Sequence, residues 1–240
     1  MLRRISDLHG FKISAKDGEI GSVYDFYFND TNWTVCWIVI DTGGWLTGRR
    51  LLLPADKVDP PDWNEETIPV ELTKEQIRKS PPTSEDQPVS RQHEAEIYRY
   101  YAWTPYWEAP GIAPYPPGSL DVEPETREQG NKHLRSAREV HGYHISALDG
   151  DIGHVEDYLV DENDWTIRYL IIDTRNWLPG KKVLVSPEWF RDVSWLDRKV
   201  HVDLKKETIR ESPEYDPSVT VNREYEATLH EHYGRKPYWY

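Results

Sequence analysis

The chain has 240 residues, of which 30% are charged and 12% aromatic, and its formal net charge at neutral pH is -13. This acidic balance disfavours binding to phosphate backbones, so nucleic acid is not an expected partner. No apolar run reaches the ~20 residues that span a bilayer, and the first residues lack the apolar stretch of a signal peptide. The lone Cys36 cannot form an internal disulfide, which fits a reducing compartment without requiring one. We take a cytoplasmic location as the default expectation.

The chain contains two copies of one sequence. Residues 2–107 align with residues 134–239 without a gap, and about forty of the paired positions are identical, which exceeds chance for a gapless alignment. A repeat of this length has the size of a domain. We therefore predict two homologous domains, at residues 1–107 and 133–240, joined by a linker at residues 108–132 that is rich in proline, glycine and acidic residues.

The first part of each copy is predicted to form short β-strands. In the first copy, an Asp-Gly turn at residues 16–19 joins a strand at 11–14 to a longer strand at 20–28, because Asp and Gly tolerate the positive φ of a hairpin turn. The next predicted strand, residues 33–42, is almost wholly apolar, which indicates a strand covered on both faces. Two further strands are predicted, at residues 49–54 and 67–72.

Two helices are predicted to follow the strands of each copy. Thr73 and Gln76 form the capping box of a short helix, which ends at Ser80-Pro81. A longer helix is predicted at residues 90–101, and its counterpart in the second copy at residues 222–233. The expected fold class is therefore mainly β with added α: two small homologous β-barrels, each followed by a short and a longer helix.

Both copies carry a hairpin of the pattern Asp-Gly-x-Ile-Gly-x-Val-x-Asp, followed by an apolar strand that ends in Asp. The second glycine of the pattern interrupts its strand, as a β-bulge requires. The shared positions are Asp17, Gly18, Gly21, Asp25 and Asp41 in the first copy and Asp149, Gly150, Gly153, Asp157 and Asp173 in the second. This order of motifs resembles the PRC-barrel domain family, over roughly residues 5–80 and 137–212.

The PRC-barrel family is known from the cytoplasmic domain of the photosynthetic reaction-centre H subunit and from the C-terminal domain of a ribosome maturation factor. Both look like docking modules rather than catalysts. We expect neither the membrane helix of the first nor the partner domain of the second in this chain, which looks more like bacterial tandem PRC-barrel proteins. The resemblance implies that the partner is either a membrane complex, which the chain would contact peripherally, or a ribonucleoprotein. It does not distinguish these two possibilities.

Four carboxylates of the shared pattern are candidates for chemistry. Asp25 and Asp157 stand in mid-strand among apolar residues, where a raised pKa could make them acids or bases. No second carboxylate or His lies at the spacing of a general acid/base pair, so we favour a structural role, in which each Asp accepts hydrogen bonds from backbone amides beside the glycine bulge. Asp41 and Asp173 end the apolar strands, and we expect them to cap turns rather than bind a ligand.

Metal ligands and catalytic motifs are not recognisable. His9 and His141 each precede a glycine, but no second His or Cys stands at metal-ligand spacing. Cys36 aligns with Arg168, so a thiol is not part of a duplicated site. The sequence patterns of the common hydrolases and nucleotide-binding proteins are also missing. We therefore expect no metal, no cofactor and no enzymatic activity.

The aromatic segment that ends each copy is the strongest functional candidate. Its rings are Tyr101, Trp103, Tyr106 and Trp107 in the first copy and Tyr233, Tyr238 and Trp239 in the second. Tyr, Trp and Arg are the residues that dominate protein interfaces. Alternatively, each tail packs on its own barrel or between the copies, an arrangement that the repetition of Pro-Tyr-Trp favours.

The sequence therefore predicts a non-enzymatic adaptor that docks on a larger complex through its aromatic tails. The first alternative is a sensor that binds a small ligand or a metal in a barrel mouth, and the less favoured second is an enzyme that uses Asp25 or Asp157. The identity of the partner stays open, as does the choice between an approximate two-fold packing of the two copies and a homodimer.

Overall fold

The computed structural model describes residues 1–46, 48–81, 91–108, 133–174 and 180–239. Apart from Glu108, the predicted linker lies outside the described residues. Backbone contacts divide the chain into two compact units. We call Leu8–Ser136 the repeat-1 unit, and Met1–Asp7 together with Ala137–Tyr240 the repeat-2 unit.

The described residues form a mainly β structure, as predicted, with one sheet in each unit. The strands are β1 (Leu2–Arg4), β2 (Lys12–Ala15), β3 (Gly18–Asn29), β4 (Thr34–Asp41), β5 (Arg50–Pro54), β6 (Thr67–Pro69), β7 (Leu134–Ser136), β8 (His144–Ala147), β9 (Gly150–Asp161), β10 (Ile167–Asp173), β11 (Lys182–Val185), β12 (Phe190–Ser194) and β13 (Lys199–Val202). The α-helices are α1 (Ile5–Leu8), α2 (Lys74–Arg78), α3 (Arg91–Tyr100), α4 (Ala137–Val140), α5 (Lys206–Glu211) and α6 (Arg223–Tyr233).

The two sheets share one topology, except that the repeat-2 sheet has one more edge strand, β12. In the repeat-1 unit the strand order is β5-β4-β3-β2-β6, and in the repeat-2 unit it is β11-β10-β9-β8-β13-β12. Neighbouring strands are antiparallel except for the pairs β2–β6 and β8–β13, which are parallel. The apolar strand β4 and its counterpart β10 supply the centre of each core, including the fully buried side chains of Trp37, Ile40, Tyr169 and Ile172.

Each sheet also contains a strand from the start of the other sequence copy. Strand β1 pairs with β9, with Leu2 opposite Asp161, and β7 pairs with β3, with Leu134 opposite Asn29. These pairs occupy equivalent positions in the two copies, so the two exchanged strands use the same register. The compact units therefore differ from the sequence repeats at their first residues, and neither exchanged strand was predicted.

Most other predicted elements are present within one or two residues. The strand predicted at residues 67–72 is shorter, since β6 ends at Pro69. The Val70 amide still donates to the Ser14 carbonyl at 2.9 Å, and Val70 forms an isolated bridge with Val58. The predicted capping box of α2 is confirmed: Thr73 Oγ1 accepts from the Gln76 amide, and the Gln76 side chain accepts from the Thr73 amide. Helix α6 begins after Asn222, whose side chain accepts from the Tyr225 amide.

The second glycine of the hairpin pattern is required by close packing of two strands. Gly21 and Gly153 have φ values of +150° and +93°, and each lies beside a register shift in its hairpin. A Cβ atom at Gly21 would lie 2.3 Å from the carbonyl oxygen of Asp41, and one at Gly153 would lie 2.1 Å from that of Asp173. The predicted bulge is therefore confirmed, and it lets β3 and β9 approach the ends of β4 and β10.

Deleting Met1–Arg4 removes β1 and leaves Leu159–Asp161 of β9 paired with β10 alone. We expect amide hydrogen exchange to accelerate at least ~10-fold in this segment, because exposed strand edges open more readily. Tyr27–Asn29 of β3 serves as the internal control, since it keeps its pairing with β7. Unchanged protection of Leu159–Asp161 in the deletion variant would contradict the exchanged pairing.

Replacing Gly153 with Ala places a methyl group against the Asp173 carbonyl, so β9 must move away from β10. We expect a loss on the order of 3 kcal/mol in the free energy of unfolding, measured by urea denaturation. Gly142→Ala is the matched control: Gly142 also has a positive φ, of +84°, but a Cβ there meets nothing within 4 Å. Equal losses for the two variants would show that backbone strain alone, rather than the close approach, requires Gly153.

Candidate functional site

A buried glutamate fixes the aromatic tail of the repeat-1 unit. Glu94, on α3, is 0% exposed. Its Oε1 atom accepts hydrogen bonds from Trp37 Nε1 on β4 at 2.7 Å and from the Tyr106 hydroxyl in the tail at 3.1 Å. One carboxylate oxygen therefore connects a central strand, the long helix and the tail.

The repeat-2 unit repeats this arrangement. Glu226, on α6, is 3% exposed, and its Oε1 atom accepts from the hydroxyls of Tyr169 at 3.1 Å and Tyr238 at 2.9 Å. Its Oε2 atom accepts from Arg223 at 3.0 Å. Tyr169 and Tyr238 stand at the positions of Trp37 and Tyr106 in the first copy. The donor type changes at one position, whereas the buried carboxylate is retained.

These hydrogen bonds are energetically important because a buried carboxylate without donors is strongly unfavourable. A hydrogen bond to a charged group contributes about 1.5–3 kcal/mol, and removing a donor from a buried charge costs more. Burial and the neighbouring Glu226 raise the pKa of Tyr169 far above its usual range, and burial raises that of Tyr238 to about 12. Both hydroxyls therefore stay protonated and able to donate throughout the physiological pH range.

The first tail packs on a core cluster of its own unit. That cluster is formed by Cys36, Trp37, Val39, Leu52, Ile97 and Tyr98. The predicted interaction residues Tyr101, Trp103, Tyr106 and Trp107 all lie half-buried against it. The ring centroid of Trp107 lies 5.4 Å from that of Tyr98, in an edge-to-face contact. Part of each ring in this tail stays accessible.

The second tail differs in one predicted residue. Tyr238 and Trp239 are half-buried, but Tyr233 is buried, with its ring centroid 4.6 Å from that of Trp189. Arg168 stacks over Tyr238 at 4.3 Å and Arg223 over Trp239 at 4.4 Å. Tyr233 is therefore a core residue here, while Tyr238 and Trp239 present an accessible aromatic surface with two arginines.

We call the accessible surface of Trp103, Tyr106 and Trp107, and that of Tyr238 and Trp239 with their arginines, the aromatic face of each unit. These contacts agree with the alternative that the repetition of Pro-Tyr-Trp favoured, in which each tail packs on its own barrel. That the aromatic faces bind a partner stays a prediction.

His230 marks a chemical difference between the units. It stands where the first copy has Tyr98, whose hydroxyl reaches Asp56 at 3.4 Å. The His230 ring is buried, its Nε2 atom lies 2.9 Å from the Tyr169 hydroxyl, and its Nδ1 atom has no hydrogen-bond partner among the described residues. Burial lowers the pKa of His230, against smaller opposing effects of the Arg235 and Lys236 backbone and of Glu226 and Glu188.

Asp25 and Asp157 bind the exchanged segments. Asp25 accepts from the Phe26 amide at 2.7 Å and from the Ser136 hydroxyl at 2.5 Å. Asp157 accepts from the Tyr158 amide at 2.8 Å and from the amide and hydroxyl of Ser6 at 3.2 and 2.5 Å.

The predicted amide contacts of these aspartates are present, but they come from the following residue and, for Asp157, also from Ser6, rather than from the glycine bulge. The serine partners were missed. Burial raises the pKa of Asp157.

The remaining signature residues have local roles. Asp41 accepts from the Gly43 amide at 2.8 Å, as predicted for a turn cap, and Asp173 is buried at the end of β10. Asp17 and Asp149, beside the turn glycines Gly18 and Gly150, accept from the first amides of α2 and α5, at 2.7 and 2.8 Å. Asp17 and Asp149 thus attach a helix to each hairpin.

Within the described ranges, no three His, Cys, Asp or Glu side chains are grouped so that they could hold a metal ion. His9 and His141 are exposed, and Cys36 is buried. The serine and amide neighbours of Asp157 are not a general acid/base pair.

The family model of the PRC-barrel domain matches residues 2–77. These residues are therefore similar to the PRC-barrel domain, which is generally a non-enzymatic protein-interaction module. No curated protein matches the chain. In the described parts of the chain, every helix is too short or too polar to cross a bilayer.

Glu94 and Glu226 are the site residues that sequence reasoning missed. Both belong to an identical Arg-x-x-Glu-Ala stretch that precedes Pro-Tyr-Trp in each copy. A charged residue repeated within a helix could have been taken as a candidate partner of the repeated rings. The pattern alone does not show burial, because charged residues on a helix are usually exposed.

Replacing His230 with Tyr should make the stability of the repeat-2 unit less dependent on pH. The folded unit favours neutral His230, which adds to the free energy of unfolding. This stabilisation is complete above the unfolded pKa of about 6.5 and is lost as the pH falls through the lower folded pKa. We expect the wild type to lose about 1 kcal/mol more than His230→Tyr between about pH 7.5 and about pH 5. Hydrogen exchange of residues 223–233 measures this difference.

The control is Tyr98→His, which should introduce a similar pH dependence at residues 91–100 of the repeat-1 unit. Parallel pH profiles for the wild type and His230→Tyr would show that His230 does not couple proton binding to the stability of α6.

Proposed function

We propose that the chain is a non-enzymatic docking protein and that each unit binds a partner protein with its aromatic face. The observation that carries this proposal is the buried glutamate of each unit, which holds half-buried tail rings in one position. A buried anchor beneath an accessible aromatic surface supports recognition more readily than it supports chemistry.

Rigid rings reduce the entropic cost of binding. Side chains that must be ordered on binding cost about 0.5–1.5 kcal/mol each, and tails held by Glu94 and Glu226 have lost this freedom already. Tyr, Trp and Arg are enriched at the energetic centres of interfaces. The repeat-2 face contains all three types, in Tyr238, Trp239 and Arg168.

Two related faces in one chain allow bivalent binding. If one complex presents two copies of the recognised surface, the second contact forms at an effective concentration set by the connecting chain. Family resemblance supports a membrane complex or a ribonucleoprotein as the partner. The cytoplasmic location and the adaptor role stay predictions.

Cross-linking and affinity capture of the tagged full chain from detergent-solubilised native cells, read by mass spectrometry, tests the proposal. We expect one recurrent complex, and at least ~10-fold less of it with Trp107→Ala and Trp239→Ala combined, because each substitution removes a hot-spot ring. Leu196→Ala is the control, since Leu196 is 100% exposed and outside both aromatic faces.

Circular dichroism and thermal unfolding establish that the tail variant is folded. Equal capture by the folded tail variant and by wild type would reject the aromatic faces as the docking surface. Single substitutions at Trp107 and at Trp239 distinguish bivalent from monovalent binding, because bivalent capture falls steeply when either face is lost.

A second candidate function is the binding of a small ligand, favoured by one cavity in the repeat-2 unit. This cavity has a volume of about 500 Å³, and its lining includes Asp173, Lys181, Lys182 and Tyr215. The size is sufficient for a metabolite. A metabolite panel that raises the unfolding temperature of the full chain, and no longer does so in Lys182→Ala, would support this alternative.

A further inference from the structure

A second surface of the repeat-2 unit has a chemistry that identifies a class of partner. Tyr215, Val219, Val221, Tyr225 and Thr228 line a groove of about 370 Å³ formed by α6 and the segment before it. The groove is distinct from the aromatic face, since its lining includes neither Tyr238 nor Trp239 nor their two arginines. Its lining is mainly apolar and aromatic.

The aromatic wall of the groove is fixed by hydrogen bonds to the backbone. The Tyr225 hydroxyl donates to the carbonyl oxygens of Pro213 and Glu214, at 3.3 Å each. Tyr215 is buried, its amide donates to the Lys182 carbonyl at 2.8 Å, and burial raises its pKa to about 12. Val219 is 61% exposed. Two neutral rings and accessible aliphatic surface are therefore in place before any partner binds.

Carboxylates at the groove give it a negative potential. Glu214, Asp216 and Glu224 contribute to its lining. Asp216 accepts from the amide and hydroxyl of Ser218, at 2.8 and 2.7 Å. Glu214 and Glu224 are exposed, and within the described residues their carboxylates form neither a hydrogen bond nor an ion pair.

Three basic side chains near the groove, Lys181, Lys182 and Arg223, make contacts other than with Glu214 and Glu224. Lys181 Nζ donates to the Ser212 carbonyl at 2.5 Å, and Lys182 Nζ contacts Glu156 at 2.6 Å. Arg223 pairs with Glu226 at 3.0 Å. The groove therefore combines an aromatic and aliphatic wall with two carboxylates, those of Glu214 and Glu224, that form no ion pair with any residue the structure describes.

We propose that this groove binds a Lys or Arg side chain on an exposed segment of the docked partner protein. The aliphatic part of the side chain packs on Val219 and Val221, and the cation lies near the Tyr225 ring, between the carboxylates of Glu214 and Glu224. This inference rests on the proposed docking function and names the partner's chemistry: a basic segment.

The charge of the chain argues against the other occupants. A net charge of -13 disfavours a second copy of this chain and an anionic ligand, while it favours approach of a basic protein. The site belongs to the second copy, because Tyr215 and Tyr225 align with Thr83 and His93 in the first. The two units would thus make different contacts with one partner.

The test uses the full chain and two small probes, N-acetyl-arginine amide and its neutral analogue N-acetyl-citrulline amide, followed by amide NMR shifts. We expect saturable shifts of residues 214–228 with the arginine probe, and at least fivefold weaker binding of the citrulline probe, as loss of about 1 kcal/mol requires. Glu214→Gln combined with Glu224→Gln should weaken arginine binding by a similar factor.

Glu75→Gln combined with Glu71→Gln controls for net charge, because it removes two exposed carboxylates outside the groove. Equal binding of the two probes, shifts that do not saturate, or equal weakening by this control pair would overturn the proposal. The Trp107→Ala and Trp239→Ala variant should still bind the arginine probe. If the chain captures no complex but binds the arginine probe, the proposed docking function fails and the groove proposal stands. If the chain captures a complex but does not bind the arginine probe, only the groove proposal fails.

Discussion

The need to satisfy a buried carboxylate organises each unit of this protein. Glu94 and Glu226 are almost fully shielded from water, so their oxygens must be hydrogen-bonded. The donors come from β4 or β10 and from the tail, and the acceptor comes from α3 or α6. Strand, helix and tail are consequently held together by one polar contact within an apolar cluster, which fixes the aromatic face that we propose for docking.

The same carboxylate can be satisfied by different donors, and this is how the two copies have diverged. Trp37 donates an indole N–H where Tyr169 donates a hydroxyl, and Tyr98 is replaced by His230. Among the residues that the structure describes, a buried imidazole therefore lies beside the tail in the repeat-2 unit alone. With the groove at residues 214–228, which has no aromatic counterpart in the first copy, the repeat-2 unit has the more specialised surface.

Sequence reasoning located the rings of the tails but not the residues that hold them. Aromatic residues are rare enough that their repetition is informative, whereas a glutamate on a helix is ordinarily solvated. The groove had no sequence signal either, because its wall combines Tyr215 from a connecting segment with Tyr225 from α6. Asp25 and Asp157 were recognised as structural, yet their serine partners lie more than a hundred residues away in the chain.

The sequence by itself determined what depends on local interactions: the period of the repeat, the Asp-Gly hairpins, the glycine bulges and the capping box of α2. Only the tertiary structure decided which sheet each first strand joins. Leu2–Arg4 and Leu134–Ser136 are near copies, and the edges of β3 and β9 accept them in the same register. Pairing energies of equivalent strands are similar, so sequence pattern cannot distinguish the exchange. Long-range contacts such as Ser6 with Asp157 and Ser136 with Asp25 join residues far apart in the sequence, so only the tertiary structure shows them.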